Sequence, residues 1–163
     1  MSRRWHTLQD SGDDFLGSAR FRYVTSVDVP VGTRRTWQAL TAPDTLTSWT
    51  PLVTDLKWTT PPPFDVGTQR EVTLLRVMTI RENYFRWEEG RRKTFTGVVS
   101  SLPGLRRLAE DYMVEATPTG SRFTWTLAVE PHPALSPLLR ILKPTTSWLL
   151  RRITRRMRSR LTK

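Results

Sequence analysis

The chain has 163 residues, of which 37% are hydrophobic and 25% are charged, and this predicts one globular domain rather than a disordered chain. It contains no cysteine, which excludes disulfides and thiolate-bound metals, and its apolar runs are too short to cross a membrane. The formal net charge is +11, and residues 131–163 supply most of it, with nine basic and no acidic side chains. We therefore expect a cytoplasmic protein with one unusually basic segment.

The chain opens with a polar leader and then changes to a strand pattern. Residues 1–19 show no clear period, so we expect them to be loosely attached to a single domain spanning residues 20–163. Residues 21–30 (FRYVTSVDVP) are rich in β-branched and aromatic side chains and end at a proline, which predicts the first strand. A helical pattern around Trp37 follows, and a second short helix is expected to run toward Trp49.

Strand patterns continue through the middle of the chain, separated by short turn-forming segments. Polar and apolar residues alternate in large part, and no helical pattern separates the strands, so we expect antiparallel neighbours joined by hairpins. The predicted strands lie at 52–60, 68–77, 79–89, 93–99, 105–117 and 121–130.

A long helix is predicted to close the chain after Pro133, with Pro137 and Pro144 setting its entry and a kink. A sheet of this size twists and curls, and this last helix is the only element long enough to cover its concave face. The order of elements therefore predicts an α+β fold, with two short helices after the first strand and a long C-terminal helix.

Three segments resemble the START-like, helix-grip (SRPBCC, Bet v 1-like) superfamily. Residues 30–53 (PVGTRRTWQALTAPDTLTSWTPLV) resemble its first-helix pattern, in which an apolar residue and a Trp precede a second Trp and a proline. Residues 66–72 (VGTQREV) resemble the glycine turn into its third strand. Residues 118–131 (PTGSRFTWTLAVEP) resemble its last strand, with Ser121 where Thr is usual. The polyketide cyclase/dehydrase-like branch is the most similar.

This resemblance implies a curved antiparallel sheet of about seven strands that grips the C-terminal helix. It also implies an internal cavity between sheet and helix that holds an apolar or amphipathic molecule, such as a lipid, a sterol-like compound or a polyketide. The matching motifs are structural rather than catalytic, so the resemblance predicts a fold and leaves the reaction open.

Each apolar face of three predicted strands carries a charged residue. Alternation places Arg76, Glu82 and Glu110 toward the cavity, where an ionised group needs a partner or water. One hypothesis is that these residues orient a ligand's carbonyl, hydroxyl or carboxylate, with Tyr84 and Tyr112 adding hydroxyls and Glu82 or Glu110 acting as a catalytic acid or base. The alternative is a buried ion pair that closes one end of the core.

Four further residues complete the predicted ligand-binding set. Leu74 lies on the same face of its predicted strand as Arg76, and Trp37 is expected in the core or the cavity wall. Trp125 and Trp148 are expected to face each other across the pocket from sheet and helix. The strand over residues 79–88 is ambiguous, because a register shift of one residue would turn Phe85 and Trp87 inward instead of Glu82 and Tyr84.

Nothing in the sequence indicates a metal or a cofactor. His6 and His132 are the only histidines, and neither has a partner at metal-ligand spacing. The glycines are isolated turn or strand residues, so no phosphate-binding loop is present. We expect neither a metal site nor a nucleotide cofactor.

The basic C-terminal segment is amphipathic when placed on a helical wheel. Its apolar stripe consists of Leu149, Leu150, Ile153, Met157 and Leu161, which suits the open face of the sheet. The opposite face is expected to hold Arg151, Arg152, Arg155, Arg156 and Arg158. These arginines form either a solvated surface or a contact for an anionic membrane. Nucleic acid is the weaker alternative, because no nucleic-acid-binding motif accompanies them.

Three functions follow from these observations. The favoured one is binding of a hydrophobic or amphipathic small molecule in the cavity, without catalysis. A cyclase, aromatase or dehydrase would additionally require one of the polar cavity residues within hydrogen-bond reach of its substrate. A peripheral membrane-associated module using the basic helix is the third.

Overall fold

The computed structural model describes residues 4–163 and shows a curled antiparallel sheet wrapped against one long helix. Its strands are β1 (His6–Thr7), β2 (Phe21–Val29), β3 (Val53–Trp58), β4 (Gln69–Leu74), β5 (Met78–Glu88), β6 (Arg92–Ser100), β7 (Leu105–Thr117) and β8 (Gly120–Pro131). Its helices are α1 (Asp13–Ser18), α2 (Thr33–Thr41) and α3 (Ser136–Leu161), with a 3₁₀ turn at Pro133–Leu135.

The sheet follows the order β2-β8-β7-β6-β5-β4-β3, and every neighbouring pair is antiparallel. β1 lies off this path and pairs with the end of β6. α3 packs against the concave side of the sheet and contacts β2 most extensively. The predicted helix-grip fold, with its seven-stranded sheet and long C-terminal helix, is therefore confirmed.

Strict alternation along the strands explains which face of the sheet is buried. On β2, Phe21, Tyr23, Thr25, Val27 and Val29 are buried while the alternate residues are exposed, because successive side chains point to opposite faces. The apolar stripe of α3 meets this buried face. Its Leu150, Ile153 and Met157 are all buried, so the predicted stripe is confirmed for these three residues.

The predicted second short helix before Trp49 is wrong. α2 ends at Thr41, and residues 43–49 form consecutive turns instead of a helix. Leu46 has a φ of 64°, which lies outside the right-handed helical region, so a continuous helix cannot pass through it. Trp49 is nevertheless buried in the main core, as its position in the pattern suggested.

The leader is not loosely attached where the structure describes it, and this prediction is also wrong. β1 pairs with β6, and α1 lies on the outer face of the sheet, where it buries Phe15 and Leu16. The guanidinium of Arg107 stacks 4.1 Å from the centre of the Phe15 ring. Residues 1–3 of the leader lie outside the described residues.

A bulge on β5 resolves the ambiguous register of residues 79–88. The pairing with β6 shifts between Tyr84 and Arg86, which leaves Phe85 as an extra residue. Glu82 and Tyr84 therefore face α3, and so does Trp87 beyond the bulge. Phe85 packs on the other side of the sheet beneath α1.

Candidate ligand-binding cavity

A partly enclosed cavity of about 280 Å³ lies between the concave face of the sheet and α3. Most of its wall is hydrocarbon. The apolar lining residues are Leu46, Leu52, Val53, Val72, Leu74, Met78, Ile80, Leu105, Leu108, Trp125, Leu127, Val129, Leu149, Leu150 and Ile153. The remaining lining residues are Thr50, Thr146, Glu82 and Glu110.

Other hollows differ from this cavity in character. The one between residues 47–51 and the end of α3 is larger, at about 420 Å³, but it is an open surface hollow lined mainly by hydroxyl and cationic side chains, next to Trp49 and Pro51. A ligand there would stay largely hydrated, whereas the cavity under α3 removes apolar surface from water. The cavity is therefore the better candidate for a ligand site.

Glu82 and Glu110 form the polar end of the cavity. β5 carries Glu82 and β7 carries Glu110, and both strands point these side chains toward α3 with only β6 between them. Glu82 is buried and pairs with Arg70, whose Nε donates to Oε2 of Glu82 at 2.5 Å. The alternative hypothesis of a buried ion pair is thus realised, but with an arginine that the sequence analysis did not select.

Arg70 is wholly buried, and aromatic rings surround its guanidinium. The guanidinium carbon lies 4.5 Å from the centre of the Phe95 ring and 5.5 Å from those of Trp58 and Tyr84. Burial is the largest single influence and lowers the pKa of Arg70, but the charge and hydrogen bond of Glu82, together with Tyr84 and Tyr112, outweigh it and hold the pKa above its ordinary value. Among the described residues, Nη1 and Nη2 find no hydrogen-bond partner, so this end of the core is not fully satisfied.

Glu110 differs from Glu82 in having no salt bridge with a described residue. Its Oε2 accepts a hydrogen bond from Nε1 of Trp125 at 2.8 Å. Burial, followed by the charge of Glu82, raises the pKa of Glu110 to about 8, although Arg70 and the Trp125 donor oppose the shift. At neutral pH the polar end of the cavity therefore combines one paired carboxylate with one carboxylic acid.

Lys93 lies behind the polar end, and the sequence analysis missed it. Its Nζ donates to the backbone oxygen of Leu40 at 2.5 Å. The centres of the Trp37, Trp58, Tyr84, Trp87 and Tyr112 rings lie between 5.3 and 5.9 Å from Nζ. Burial, followed by the charge of Arg70, lowers the pKa of Lys93 well below its ordinary value.

The predicted site residues fall into three groups. Leu74, Glu82, Glu110 and Trp125 line the cavity. Trp37, Tyr84 and Tyr112 are buried in the core beside it without lining it. Arg76 and Trp148 lie outside. Whether any of these residues contacts a ligand stays a prediction.

The expected positions of Arg76 and Trp148 are wrong. Arg76 lies in the exposed three-residue turn between β4 and β5, where its φ is 61°, so it cannot continue the inward alternation of β4. Trp148 is 57% exposed on the outer side of α3 and does not face Trp125. The guanidinium carbon of Arg152 lies 5.4 Å from the centre of its ring.

The basic face of α3 is exposed as predicted. Its arginines make no salt bridge with an acidic side chain among residues 4–163. They are Arg151, Arg152, Arg155, Arg156 and Arg158. Within the same range, no helix has the length and apolar character needed to span a bilayer, and no cluster of three His, Asp or Glu side chains could hold a metal.

A curled sheet that grips one helix around an apolar cavity defines a START-like domain. The chain belongs to the family described as "Polyketide cyclase / dehydrase and lipid transport", whose model matches residues 20–162. An uncharacterized protein from Mycobacterium tuberculosis is 31% identical over 147 residues, which cover 90% of this chain and 88% of that protein.

Solved structures share the fold at low sequence identity. A START superfamily protein from Mycobacterium smegmatis is 11% identical, with a TM-score of 0.68 over 86% of this chain and 97% of that chain. The di-domain aromatase/cyclase StfQ from the steffimycin biosynthetic pathway is 14% identical, with a TM-score of 0.68 over 85% of this chain and 49% of that chain. These likenesses establish the fold alone.

Proposed function

We propose that this protein binds a hydrophobic or amphipathic small molecule, such as a lipid, a sterol-like compound or a polyketide, between its sheet and α3. The observation that carries the proposal is the cavity of about 280 Å³, which is apolar except for two threonines and the end formed by Glu82 and Glu110. A ligand that loses about 300 Å² of apolar surface there would gain roughly 7 kcal/mol, before the cost of immobilisation.

Native mass spectrometry of the purified protein, followed by organic extraction, tests this proposal. We expect a bound mass that the extract identifies as an apolar or amphipathic compound. Leu127→Phe fills the cavity and should reduce the bound fraction several-fold, whereas Val24→Phe adds the same ring on the exposed face of β2 and should leave it unchanged. If both variants retain the bound compound equally, the compound binds outside this cavity.

A cyclase, aromatase or dehydrase is the second candidate. It is favoured by one observation, which is that the carboxyl groups of Glu82 and Glu110 line the same cavity end, where burial raises the pKa of Glu110. Such a pair can donate and accept protons in one reaction. The family description and the fold shared with StfQ are compatible with this activity. Turnover of a poly-β-ketone that is lost in both Glu82→Gln and Glu110→Gln would support it, and binding without turnover would refute it.

Peripheral attachment to an anionic membrane is the third candidate. The first half of α3 exposes Leu138, Ile141 and Trp148, next to the arginine face. Exposed apolar and aromatic side chains beside unpaired cations suit the interface of an anionic bilayer. Vesicles containing phosphatidylglycerol should therefore retain the protein in sedimentation, and neutral phosphatidylcholine vesicles should not.

A matched pair of variants tests the surface involved. Arg155→Gln with Arg158→Gln should weaken vesicle binding several-fold, at roughly 1 kcal/mol per charge. Arg34→Gln with Arg35→Gln removes the same charge from the exposed side of α2 and should have little effect. Equal losses in the two double variants would show that only net charge matters, and that α3 is not the docking surface.

A further inference from the structure

Among residues 4–163, the polar end of the cavity offers carboxyl groups to a ligand but no basic group. Glu82 and Glu110 are the only ionisable side chains among the described residues that line the cavity. Arg70 and Lys93 lie behind them, and both are fully buried without reaching the cavity wall. A ligand that enters from the apolar side therefore meets carboxyl oxygens first.

The hydrogen bonds from Arg70 and Trp125 leave one oxygen of each carboxyl group for a ligand, and the Tyr112 hydroxyl is a further donor beside Glu110. Arg70 donates to Oε2 of Glu82, and Trp125 donates to Oε2 of Glu110. Oε1 of each group takes part in neither bond. The two side chains project toward the same space from strands separated only by β6.

We propose that this end of the cavity binds a hydroxyl group of the ligand, an alcohol or a phenol, in preference to a carboxylate. This inference rests on the proposed function. A hydroxyl group matches the site because it donates and accepts at one atom. Its hydrogen is donated to the carboxylate of Glu82, and its oxygen accepts the hydrogen of the Glu110 acid.

A ligand carboxylate is disfavoured by charge. It would place a further negative charge beside Glu82, while the guanidinium of Arg70 is already engaged behind that group. Burying an ionised carboxylate without a counter-charge costs more free energy than a hydrogen bond to Glu110 returns. An ether oxygen can accept a hydrogen bond from Glu110, but an ether has no hydroxyl hydrogen to donate to Glu82. It should therefore form only one of the two hydrogen bonds.

Four ligands of similar length separate these possibilities at pH 6.5, namely 1-decanol, 1-methoxynonane, decanoate and decylamine. Each competes with the neutral fluorescent probe N-phenyl-1-naphthylamine for the wild-type protein. We expect 1-decanol to bind about fivefold or more tightly than the ether, and about tenfold or more tightly than decanoate. Decanoate or decylamine binding as tightly as 1-decanol would overturn the inference.

Failure of the underlying function has a different signature. If neither the probe nor any of the four ligands binds, the cavity does not take apolar ligands, and the proposed function falls together with this inference. If all four bind with equal affinity, the cavity function stands and the hydroxyl preference is wrong.

Two variants assign the preference to the carboxyl groups. Glu82→Gln removes the carboxylate acceptor and leaves Arg70 without its partner, so the preference for 1-decanol over decanoate should fall at least about tenfold. Glu115→Gln removes a carboxylate from an exposed position of β7, away from the cavity, and should retain the preference within about threefold. If a folded Glu82→Gln protein keeps the wild-type preference for 1-decanol over decanoate, the assignment of this preference to Glu82 is wrong. If that variant does not fold, the ligand series on the wild-type protein still decides the matter.

Discussion

At the scale of single residues, groups from four strands set the pKa of Glu110. Its own strand β7 buries it, Trp125 on β8 donates to it, and Glu82 on β5 repels its negative form. The paired Arg70 offsets only part of this effect. The same side chain would ionise at a much lower pH in the unfolded chain, so its titration links folding to pH.

We predict that Glu110 makes the protein less stable as the pH rises from about 5 to 8. In this range the unfolded chain releases the Glu110 proton while the folded protein retains it, because the folded pKa is raised to about 8. Relative to pH 5, the free energy of unfolding is therefore lower by roughly 1–3 kcal/mol at the upper end of the range. Urea unfolding of wild type and Glu110→Gln at pH 5 and pH 8 measures this effect.

The Gln variant serves as its own control because it cannot ionise at this position. The free energy of unfolding of Glu110→Gln minus that of wild type should therefore be larger at pH 8 than at pH 5. Tyr84, Tyr112, Lys93 and Glu82 also lie near this group, but they are unchanged in the variant. Identical pH dependence in the two proteins would show that folding does not raise the pKa of Glu110.

A second prediction at this scale concerns the buried pair of Arg70 and Glu82. Arg70→Met leaves the Glu82 carboxylate buried without its partner and should cost about 3–5 kcal/mol. The double variant Arg70→Met, Glu82→Met should recover most of this loss, because it removes both charges. Urea unfolding of the two variants and wild type gives the comparison. A double variant that is less stable than Arg70→Met would contradict this account.

The sequence contained the signal for Arg70, but the prediction stopped at the wrong residue. Arg70, Val72, Leu74 and Arg76 share one parity, so alternation points all four in the same direction if the strand is unbroken. The strand ends at Leu74, which turns Arg76 outward and leaves Arg70 as the inward cation. Residues 75–77 (LRV) contain neither glycine nor proline, so nothing in the local sequence marks this turn.

At the scale of elements, strands and the closing helix were predictable because their apolar periods are strong. The alternation of β2 and the stripe of α3 both appear in the structure as buried faces. The bulge at Phe85 was not predictable, because α1 supplies the apolar surface on which that ring packs. Sequence alternation allows two registers for β5, with either Tyr84 or Trp87 facing inward. Only the bulge, which depends on tertiary contacts, places both residues on the same face.

The hairpin between β7 and β8 provides a test at this scale. Gly120 has a φ of 154°, and a Cβ atom at this position would lie 2.1 Å from the backbone oxygen of Val29. Gly120→Ala should therefore cost more than about 2 kcal/mol, because the edge of β2 would have to move. Gly90→Ala is the control, since Gly90 also has a positive φ but has no atom within 4 Å of the added Cβ. Equal losses in urea unfolding would show that the close approach to β2 contributes nothing.

At the scale of the whole molecule, the space between sheet and helix is divided into two parts. On one side, aromatic rings fill it in a connected series that includes Tyr84, Phe95, Tyr112 and Phe123. On the other side, aliphatic side chains surround the cavity instead of meeting each other. Protein interiors are normally close-packed, so this unfilled space lowers the stability that the core could provide.

A ligand that fills the cavity should therefore stabilise the whole fold. At a concentration of about 100 times Kd, binding adds about 2.7 kcal/mol, which corresponds to a rise in Tm of roughly 5–10 °C for a chain of this size. Leu127→Phe places a ring in the same space, so the rise should fall close to zero, whereas Val24→Phe should keep the wild-type shift. Differential scanning fluorimetry with 1-decanol measures all three proteins. A full shift in a folded Leu127→Phe protein would mean that the ligand stabilises the fold from a site other than this cavity.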